Sequence, residues 1–208
     1  MDKYELKYFG YNGKAGGIRL FLDYFEIPYI DTYYKEGEKV KDSLPFGQPL
    51  VLTINDKFRI GQALAIYRYL GARHGAIAES IEEQAICDSY GEFIMYTFYK
   101  LIYEMIKGKT DKKSVQEFAV SNFAPIFNKQ LEENGGEFIV GKKITWLDFL
   151  LADAIDGIFE RVKPENLEIF KKLETHRDRI FETKNDDGSL RLIKTIQKRR
   201  DFDENLQE

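Results

Sequence analysis

Residues 49–60 read PLVLTINDKFRI, and the arrangement of the first part of the chain can be worked out from this segment. Apolar runs stand on both sides of Asn55-Asp56-Lys57, and short turn chemistry between two apolar runs is typical of a β-hairpin. Residues 27–34, IPYIDTYY, predict a separate strand before it. Pro28 is compatible with that strand because it stands at the start, where no backbone donor is needed. The hairpin therefore adds two antiparallel strands to an existing one.

The segments on either side of these strands complete an α/β domain. Tyr4 to Phe9 alternates in polarity and carries aromatic residues, which predicts a strand. Residues 15–25 repeat apolar residues at helical spacing, and so do residues 62–70 after the hairpin. The order is β-α-β followed by β-β-α, in which the crossover makes two strands parallel and the hairpin makes two antiparallel. We expect a four-stranded mixed sheet.

From residue 80 onward the pattern changes to helices alone. The helical segments are separated by breaks rich in Gly, Pro or Asn. They cover residues 82–106, 112–133, 146–160 and 165–179. We therefore predict an α/β domain at residues 1–77, followed by an all-helical bundle at residues 78–208.

The composition excludes several classes of function. The 208 residues carry 31 Lys and Arg against 35 Asp and Glu, so the formal charge of -4 predicts no attraction to nucleic acid or to an anionic membrane. No apolar run approaches the ~18 residues that cross a membrane. One Cys and two His provide neither an internal disulfide nor a Cys/His zinc site, so we expect no metal. Because no secretory signal opens the chain, we expect a soluble, cytoplasmic protein.

The segment Ile144-Thr145-Trp146-Leu147-Asp148-Phe149 predicts a capped helix start. Thr145 as N-cap accepts from the amide of Asp148, whose carboxylate accepts from the amide of Thr145. Capping boxes are common and carry no chemistry, so we interpret this segment as a folding device.

Four separated segments occur in the order and spacing of a known enzyme family. They are Tyr8-Phe9-Gly10-Tyr11-Asn12-Gly13-Lys14-Ala15, Leu44-Pro45-Phe46-Gly47-Gln48-Pro49, Gln62-Ala63-Leu64-Ala65-Ile66-Tyr67-Arg68-Tyr69-Leu70 and Thr145-Trp146-Leu147-Asp148-Phe149. On these segments nearly the whole chain resembles the cytosolic glutathione transferases, most closely the sigma class and its invertebrate relatives. The resemblance implies a thioredoxin-like first domain that binds glutathione, and a helical domain that forms the pocket for a small hydrophobic electrophile. It also implies a homodimer that uses glutathione as co-substrate.

The resemblance assigns roles to individual residues. Tyr8 matches the catalytic tyrosine, whose hydroxyl stabilises the glutathione thiolate. Such a donor is needed because a thiol with a pKa near ~8.5 is mostly protonated at neutral pH. Lys41 matches a lysine that contacts the glycyl carboxylate. The further residues that match glutathione-binding positions are Gln48, Pro49, Leu50, Gln62, Ala63 and, from the partner subunit, Glu92.

Other aromatic and apolar residues are candidates for the electrophile pocket and the dimer contact. The pocket candidates are Phe9, Met95, Tyr96 and Tyr99, with Tyr103 at the same helical spacing. Packing within the helical bundle is the alternative for those after residue 90. Phe46 is a candidate contact with a partner subunit, and the alternative is packing on its own domain.

The chain departs from its relatives at several site positions. Ala63 replaces a Ser or Thr whose hydroxyl binds the γ-glutamyl carboxylate, so one hydrogen bond is lost. Asn12, Lys14 and Gly16 replace Arg, Arg and Glu, and a lysine cannot reproduce the guanidinium fork.

The step before the third strand also differs. Relatives place an apolar residue between the glutamine and a cis-proline, whereas here Gln48 directly precedes Pro49. A cis bond costs ~2.5 to 4 kcal/mol before a non-proline residue and under ~1 kcal/mol before proline. We therefore predict a cis bond between Gln48 and Pro49.

Two functions follow from the resemblance. The first is conjugation of the glutathione thiolate to an electrophile, and the alternative is a binding or structural protein with a degraded glutathione site, like the lens crystallins of this family. The second function is favoured by Ala63, Asn12, Gly16 and the absence of a tryptophan that sigma relatives have near position 37. The first is favoured by the residues that match glutathione contacts, which are Tyr8, Lys41, Gln48 and Gln62. Residues 191–208 are expected to form a solvated helix end, and a tail folded over the electrophile pocket is the alternative.

Overall fold

The structure, a computed structural model, describes residues 2–35 and 45–205. Its strands are β1 Tyr4–Tyr8, β2 Tyr29–Tyr33, β3 Val51–Ile54 and β4 Phe58–Gly61. They form one sheet in the order β2-β1-β3-β4, with β1 parallel to β2 and the other pairs antiparallel. The predicted four-stranded mixed sheet is confirmed. Its hairpin turns through positive φ at Asn55 and Asp56, which these residue types tolerate better than most.

One end of the sheet brings distant parts of the sequence together. Lys7, near the end of β1, lies opposite Val51 at the start of β3, and Val51 lies opposite the last residue of β4. The neighbouring residues Tyr8, Leu50 and Gln62 therefore lie at the same end of the sheet.

Two helices accompany the sheet, α1 (Gly16–Tyr24) and α2 (Ala63–His74). Every residue of α1 from Gly16 to Leu22 is buried, which includes the charged Arg19. A single residue, Gln62, separates the end of β4 from the start of α2. The start of α2 therefore lies at the same end of the sheet as Tyr8.

The chain after residue 80 is helical, as predicted. The helices are α3 Ile81–Glu92, α4 Tyr99–Ile106, α5 Lys112–Phe118, α6 Ala124–Glu133, α7 Trp146–Gly157, α8 Lys171–Phe181 and α9 Ile193–Asn205. A π-helical stretch joins α3 to α4, another joins α5 to α6, and a third extends α7 to Val162. Two of the predicted long segments, 82–106 and 112–133, are thus continuous helices that contain a π-turn. No helix in the described part of the chain is long and apolar enough to cross a membrane.

The predicted capping box is present at the start of α7. The backbone amide of Thr145 donates to Oδ2 of Asp148 at 2.7 Å. The same buried carboxylate accepts from the backbone amide of Ile139 at 3.0 Å, so it also fixes the loop that precedes the helix.

The described residues divide into two compact units. Residues up to His74 and residues from Thr183 onward form one unit, and Gly75–Glu182 form the other. The division predicted at residues 77 and 78 remains a prediction. The structure differs from it in the segment after residue 182, which the sequence pattern assigned to the helical bundle and which here belongs with the sheet.

Candidate active site

Tyr8 is the last residue of β1, and its side chain is 5% exposed. Its carbonyl accepts from the backbone amide of Tyr34 at 2.9 Å, which continues the pairing with β2 past the end of the strand. The Tyr8 ring meets the rings of Phe9 and Tyr11 edge to face, with 5.3 Å between centroids in both pairs. Backbone and ring contacts therefore fix the direction of the phenol.

The surroundings of Tyr8 keep its hydroxyl protonated. Burial raises the pKa of Tyr8, and Tyr11 raises it further, while a hydrogen bond with the backbone of Lys14 acts in the opposite direction. The net pKa lies well above the ordinary value of 10.0. At neutral pH the side chain is a phenol, which is the form that donates a hydrogen bond.

The segment before β3 contradicts one prediction. No peptide bond in the described residues is cis, so the predicted cis bond between Gln48 and Pro49 is wrong. The chain instead enters the strand through Leu50, which is 2% exposed and has a φ of 93°. Few L-residues adopt positive φ, and such strained positions persist only where the surrounding structure holds them. The left-handed Leu50 makes the turn for which a cis bond was expected.

Gln62 and Ala63 form the start of α2. The φ of Gln62 is 70°, and its carbonyl accepts from the amide of Ile66 at 3.1 Å, so Gln62 is the N-cap residue. The first amides of a helix have no partner within it, and they favour an anion. Nε2 of Gln62 donates to Oε1 of Gln48 at 3.1 Å, which joins two predicted glutathione contacts directly. Ala63 is buried and supplies no hydroxyl.

The remaining predicted residues of the first unit have different positions. Lys41 lies outside the described residues. Phe9 is half-buried and stacks on Tyr11 with 5.3 Å between centroids. Asn12 is buried and its Nδ2 donates to the carbonyl of Arg199 at 3.1 Å, so it contacts the last helix. Phe46 is 76% exposed on a turn where its φ is 62°.

The pocket candidates of the second unit are not equally accessible. Met95 is buried, which agrees with packing in the bundle, while Tyr96 is 62% exposed. Tyr99 is half-buried, and its hydroxyl donates to Oδ2 of the buried Asp153. Glu92, the last residue of α3, is exposed.

Residues 94–185 match the family model described as the C-terminal domain of glutathione S-transferase. Glutathione S-transferase 4 of Caenorhabditis elegans is 30% identical over 187 residues, which cover 82% of this chain and 89% of that protein. The chain belongs to the glutathione transferase family.

Two further similar proteins support the membership of the transferase in this family. Hematopoietic prostaglandin D synthase of Gallus gallus is 30% identical over 184 residues, or 86% of this chain and 91% of that protein. The solved structure of a Nu-class glutathione transferase from Haemonchus contortus matches with a TM-score of 0.76 at 28% identity, over 96% of this chain and 98% of that chain.

Two charged residues of the transferase escaped the sequence interpretation. Arg19 is 2% exposed and pairs with Asp31 of β2, with Nε at 2.9 Å from Oδ2. Its guanidinium also donates to the carbonyl of Tyr11 at 2.8 Å and to the carbonyl of Phe9 at 3.3 Å. The available signal was an arginine directly between apolar residues of a predicted helix, since a charge buried there must find a partner.

Among the described residues, no group of three or more His, Cys, Asp or Glu side chains is placed to hold a metal ion.

Proposed function

We propose that this transferase is sigma-like and conjugates the glutathione thiolate to a small hydrophobic electrophile, as a detoxification reaction in the cytoplasm. The observation that carries the proposal is the convergence of Tyr8, Leu50 and Gln62 at one end of the sheet. A phenol, a strained backbone segment and the start of a helix are thereby within reach of one extended ligand.

Each part of this site suits one part of glutathione. The free amides at the start of α2 favour the γ-glutamyl carboxylate, and the backbone around Leu50 is available to pair with the cysteinyl unit. The phenol of Tyr8 is then the donor nearest to the sulfur. Lys41 is proposed for the glycyl carboxylate, and Pro49 shapes the segment between Gln48 and Leu50.

The chemical step requires only one activated group. The thiol gives its proton to solvent, and the Tyr8 hydroxyl stabilises the resulting thiolate by donating a hydrogen bond. The sulfur then attacks the electrophilic carbon with its electron pair, and a leaving group departs with the electrons of the broken bond. A hydrogen bond to a charged group contributes ~1.5 to 3 kcal/mol, which corresponds to roughly a tenfold to hundredfold change in the thiolate fraction.

The test of this function is the variant Tyr8→Phe, with Tyr4→Phe as its matched control. Tyr4 lies at the opposite end of β1, is also buried, and carries a hydroxyl that contacts Nε2 of His74. We expect kcat with a generic aryl halide to fall at least roughly tenfold in Tyr8→Phe, with glutathione affinity retained and with Tyr4→Phe close to the parent. A parent protein that neither binds glutathione nor turns over contradicts the proposal.

We further propose a homodimer in which Phe46 enters the partner subunit and Glu92 reaches the partner's glutathione. The support is that both side chains are exposed, and a large aromatic side chain exposed on a turn is typical of an interface. Light scattering is expected to give the mass of a dimer for the parent and of a monomer for Phe46→Ser. Phe58→Ser is the control, since Phe58 is 56% exposed on strand β4 and has no proposed contact.

For the electrophile pocket we propose Phe9, Met95, Tyr96 and Tyr99. The support is chemical, because a pocket for a hydrophobic electrophile needs apolar walls with a few polar groups. The hydroxyl of Tyr99 is held in place by its hydrogen bond to Asp153, so Tyr99 offers this set an oriented polar group. Exchange of Tyr99 for Phe is expected to change the preference among electrophiles without changing the affinity for glutathione.

A further inference from the structure

Within the first unit, the last helix, α9, is attached to α1 and β2 through polar contacts and through one aromatic ring. Oγ1 of Thr195 donates to Oδ2 of Asp23 at 2.7 Å, and Nζ of Lys198 lies 2.7 Å from Oδ2 of Asp31. The Phe202 ring lies against the guanidinium of Arg19, with 5.1 Å from the ring centroid to Cζ. Charged and aromatic groups of α9 therefore meet on α1 and β2.

Asp31 joins α9 to the buried arginine. Its carboxylate pairs with both Arg19 and Lys198, and its side chain is 9% exposed. The hydroxyl of Tyr33 donates to the same oxygen that Lys198 binds, at 2.9 Å. Burial disfavours the ammonium of Lys198, but hydrogen bonds with Asp31 and Tyr33 raise its pKa overall. Lys198 is thus a half-exposed cation held at a buried carboxylate by a charge-assisted hydrogen bond.

The other side of this cluster holds the loop that follows Tyr8. Arg19 donates to the carbonyls of Phe9 and Tyr11, so residues 9–13 are tied to the cluster through their backbone. A second connection is a direct hydrogen bond to α9, in which Nδ2 of the buried Asn12 donates to the carbonyl of Arg199. Two independent connections therefore run from α9 to the loop at residues 9–13.

The same loop lies beside the hydroxyl of Tyr8. The Tyr11 ring packs edge to face on the Tyr8 ring, and a Cβ placed on Gly13 would lie 3.0 Å from the Tyr8 hydroxyl. A small displacement of the loop therefore changes the space and the hydrogen bonding around that hydroxyl.

We propose that α9 positions the loop at residues 9–13 for thiolate stabilisation, and that Lys198 and Asn12 are the positioning residues through which it acts. The proposal rests on the proposed role of Tyr8. It goes beyond that role because neither residue touches the reacting atoms in this arrangement. Loss of either contact leaves glutathione bound but places the phenol less well, and a displaced catalytic group lowers the rate more than the affinity.

The experiment compares three variants of helix α9. Lys198→Met removes the ammonium and retains most of the packing, Lys198→Arg restores a cation, and Lys194→Met removes an exposed lysine from the same helix. For Lys198→Met we expect kcat to fall roughly fivefold to tenfold, the apparent pKa in the pH–rate profile to rise, and KM for glutathione to stay within about twofold. Lys198→Arg is expected to recover most of the rate, and Lys194→Met to match the parent. Asn12→Ala removes the other connection, the one to the carbonyl of Arg199, and is expected to have the same effect as Lys198→Met.

A second readout does not depend on activity. Hydrogen–deuterium exchange of the backbone amides at residues 9–13 is expected to be faster in Lys198→Met and unchanged in Lys194→Met. The proposal is overturned by an unchanged kcat in Lys198→Met, by an equal loss in Lys194→Met, by an effect on KM alone, or by unchanged exchange. If Tyr8→Phe has no effect on turnover, the proposed function fails, and the exchange experiment still decides whether α9 holds the loop.

Discussion

At the scale of single residues, Gly13 shows how little space surrounds the hydroxyl of Tyr8. Its φ of 41° lies in the left-handed region, and a Cβ at this position would stand 2.7 Å from the Tyr11 ring. Both the backbone conformation and the close contact require glycine. The loop after β1 is therefore packed closely against the phenol at this point.

The first prediction tests this close packing with Gly13→Ala. The added methyl group must displace Tyr11 or the Tyr8 hydroxyl, so we expect kcat to fall roughly tenfold. Gly10→Ala is the matched control in the same loop, because nothing lies within 4 Å of a Cβ there. Steady-state kinetics with glutathione and an aryl halide measure both variants. Equal rates in the two variants would show that the space over Tyr8 does not matter.

The second prediction concerns Ala63, the first residue of α2. Ala63→Ser returns a hydroxyl to the start of the helix, where it can donate to the γ-glutamyl carboxylate. One hydrogen bond to a charged group changes the dissociation constant by roughly tenfold or more, so we expect glutathione to bind at least that much more tightly. Calorimetry measures the affinity, and Ala72→Ser, at an exposed position of the same helix, controls for helix propensity. No gain in affinity would place the carboxylate elsewhere.

Single residues also show where sequence interpretation stops. Tyr8 is predictable because its neighbours in the chain form a motif. The pairing of Arg19 is not, since Asp23 stands four residues later at good helical spacing, and yet the partner is Asp31 on another element. Leu50 is a similar case. The backbone before β3 could turn through a cis bond at Pro49 or through a residue with positive φ. The local energy cost favoured the cis bond, but the structure has positive φ at Leu50.

At the scale of elements, α7 depends on one buried carboxylate. Asp148 accepts from the amides of Thr145 and Ile139, and its Oδ1 lies 3.5 Å from Nε2 of His176. It therefore joins the start of α7 to the preceding loop and to α8. Asp111, the N-cap residue of α5, is an exposed counterpart. Its carboxylate accepts a hydrogen bond from the amide of Ser114 at 2.8 Å.

The third prediction compares these two caps. Asp148→Ala leaves buried amides without an acceptor, so we expect the free energy of unfolding to fall by roughly 3–5 kcal/mol. Asp111→Ala is expected to lose far less, since water replaces the carboxylate at an exposed helix start. Urea denaturation followed by circular dichroism measures both. Similar losses in the two variants would mean that the burial of Asp148 adds nothing to the cap.

Elements were the part of the fold that the sequence predicted best. The four strands and the capped start of α7 follow from alternation and from turn and cap chemistry, which act over a few residues. The π-helical stretches were not predictable, because a single wide turn leaves the apolar spacing of 82–106 and 112–133 nearly unchanged.

At the scale of the whole molecule, two histidines contribute to the dependence of stability on pH. Burial lowers the pKa of His176 below its ordinary value of 6.5, against the attraction of Asp148. Burial and the neighbouring Arg73 also lower the pKa of His74. Each histidine binds fewer protons in the folded chain than in the unfolded chain just below pH 6.5. Because of each histidine, the free energy of unfolding therefore decreases as the pH falls below 6.5.

The fourth prediction is that His176→Gln flattens this dependence. A buried histidine contributes a slope of up to about 1.4 kcal/mol per pH unit, so between pH 7 and pH 5 the variant should lose clearly less stability than the parent. His74→Gln is the comparison and is expected to change the slope less, because His74 is only half-buried. Urea denaturation across this pH range gives the slopes. A steeper slope in His176→Gln would mean that the imidazole is charged in the folded chain.

The surface on which α9 packs could not be predicted from the sequence, because the residues that it contacts are far away in the chain. Its contacts with Asn12, Asp23 and Asp31 join residues more than 160 positions apart, and the polarity of residues 191–208 is equally compatible with a solvated helix end. Local pattern indicates that a helix forms there. It contains no information about the surface on which that helix packs.

The attachment of α9 has a consequence for biosynthesis. The sheet and α1 leave the ribosome early, but the helix that covers Arg19 and Asp31 follows only after the whole of Gly75–Glu182. Until then the nascent chain exposes a charged cluster that the finished protein buries, so its first unit cannot mature as an independent early domain. The intervening helical unit, which is continuous in sequence, is free to fold first.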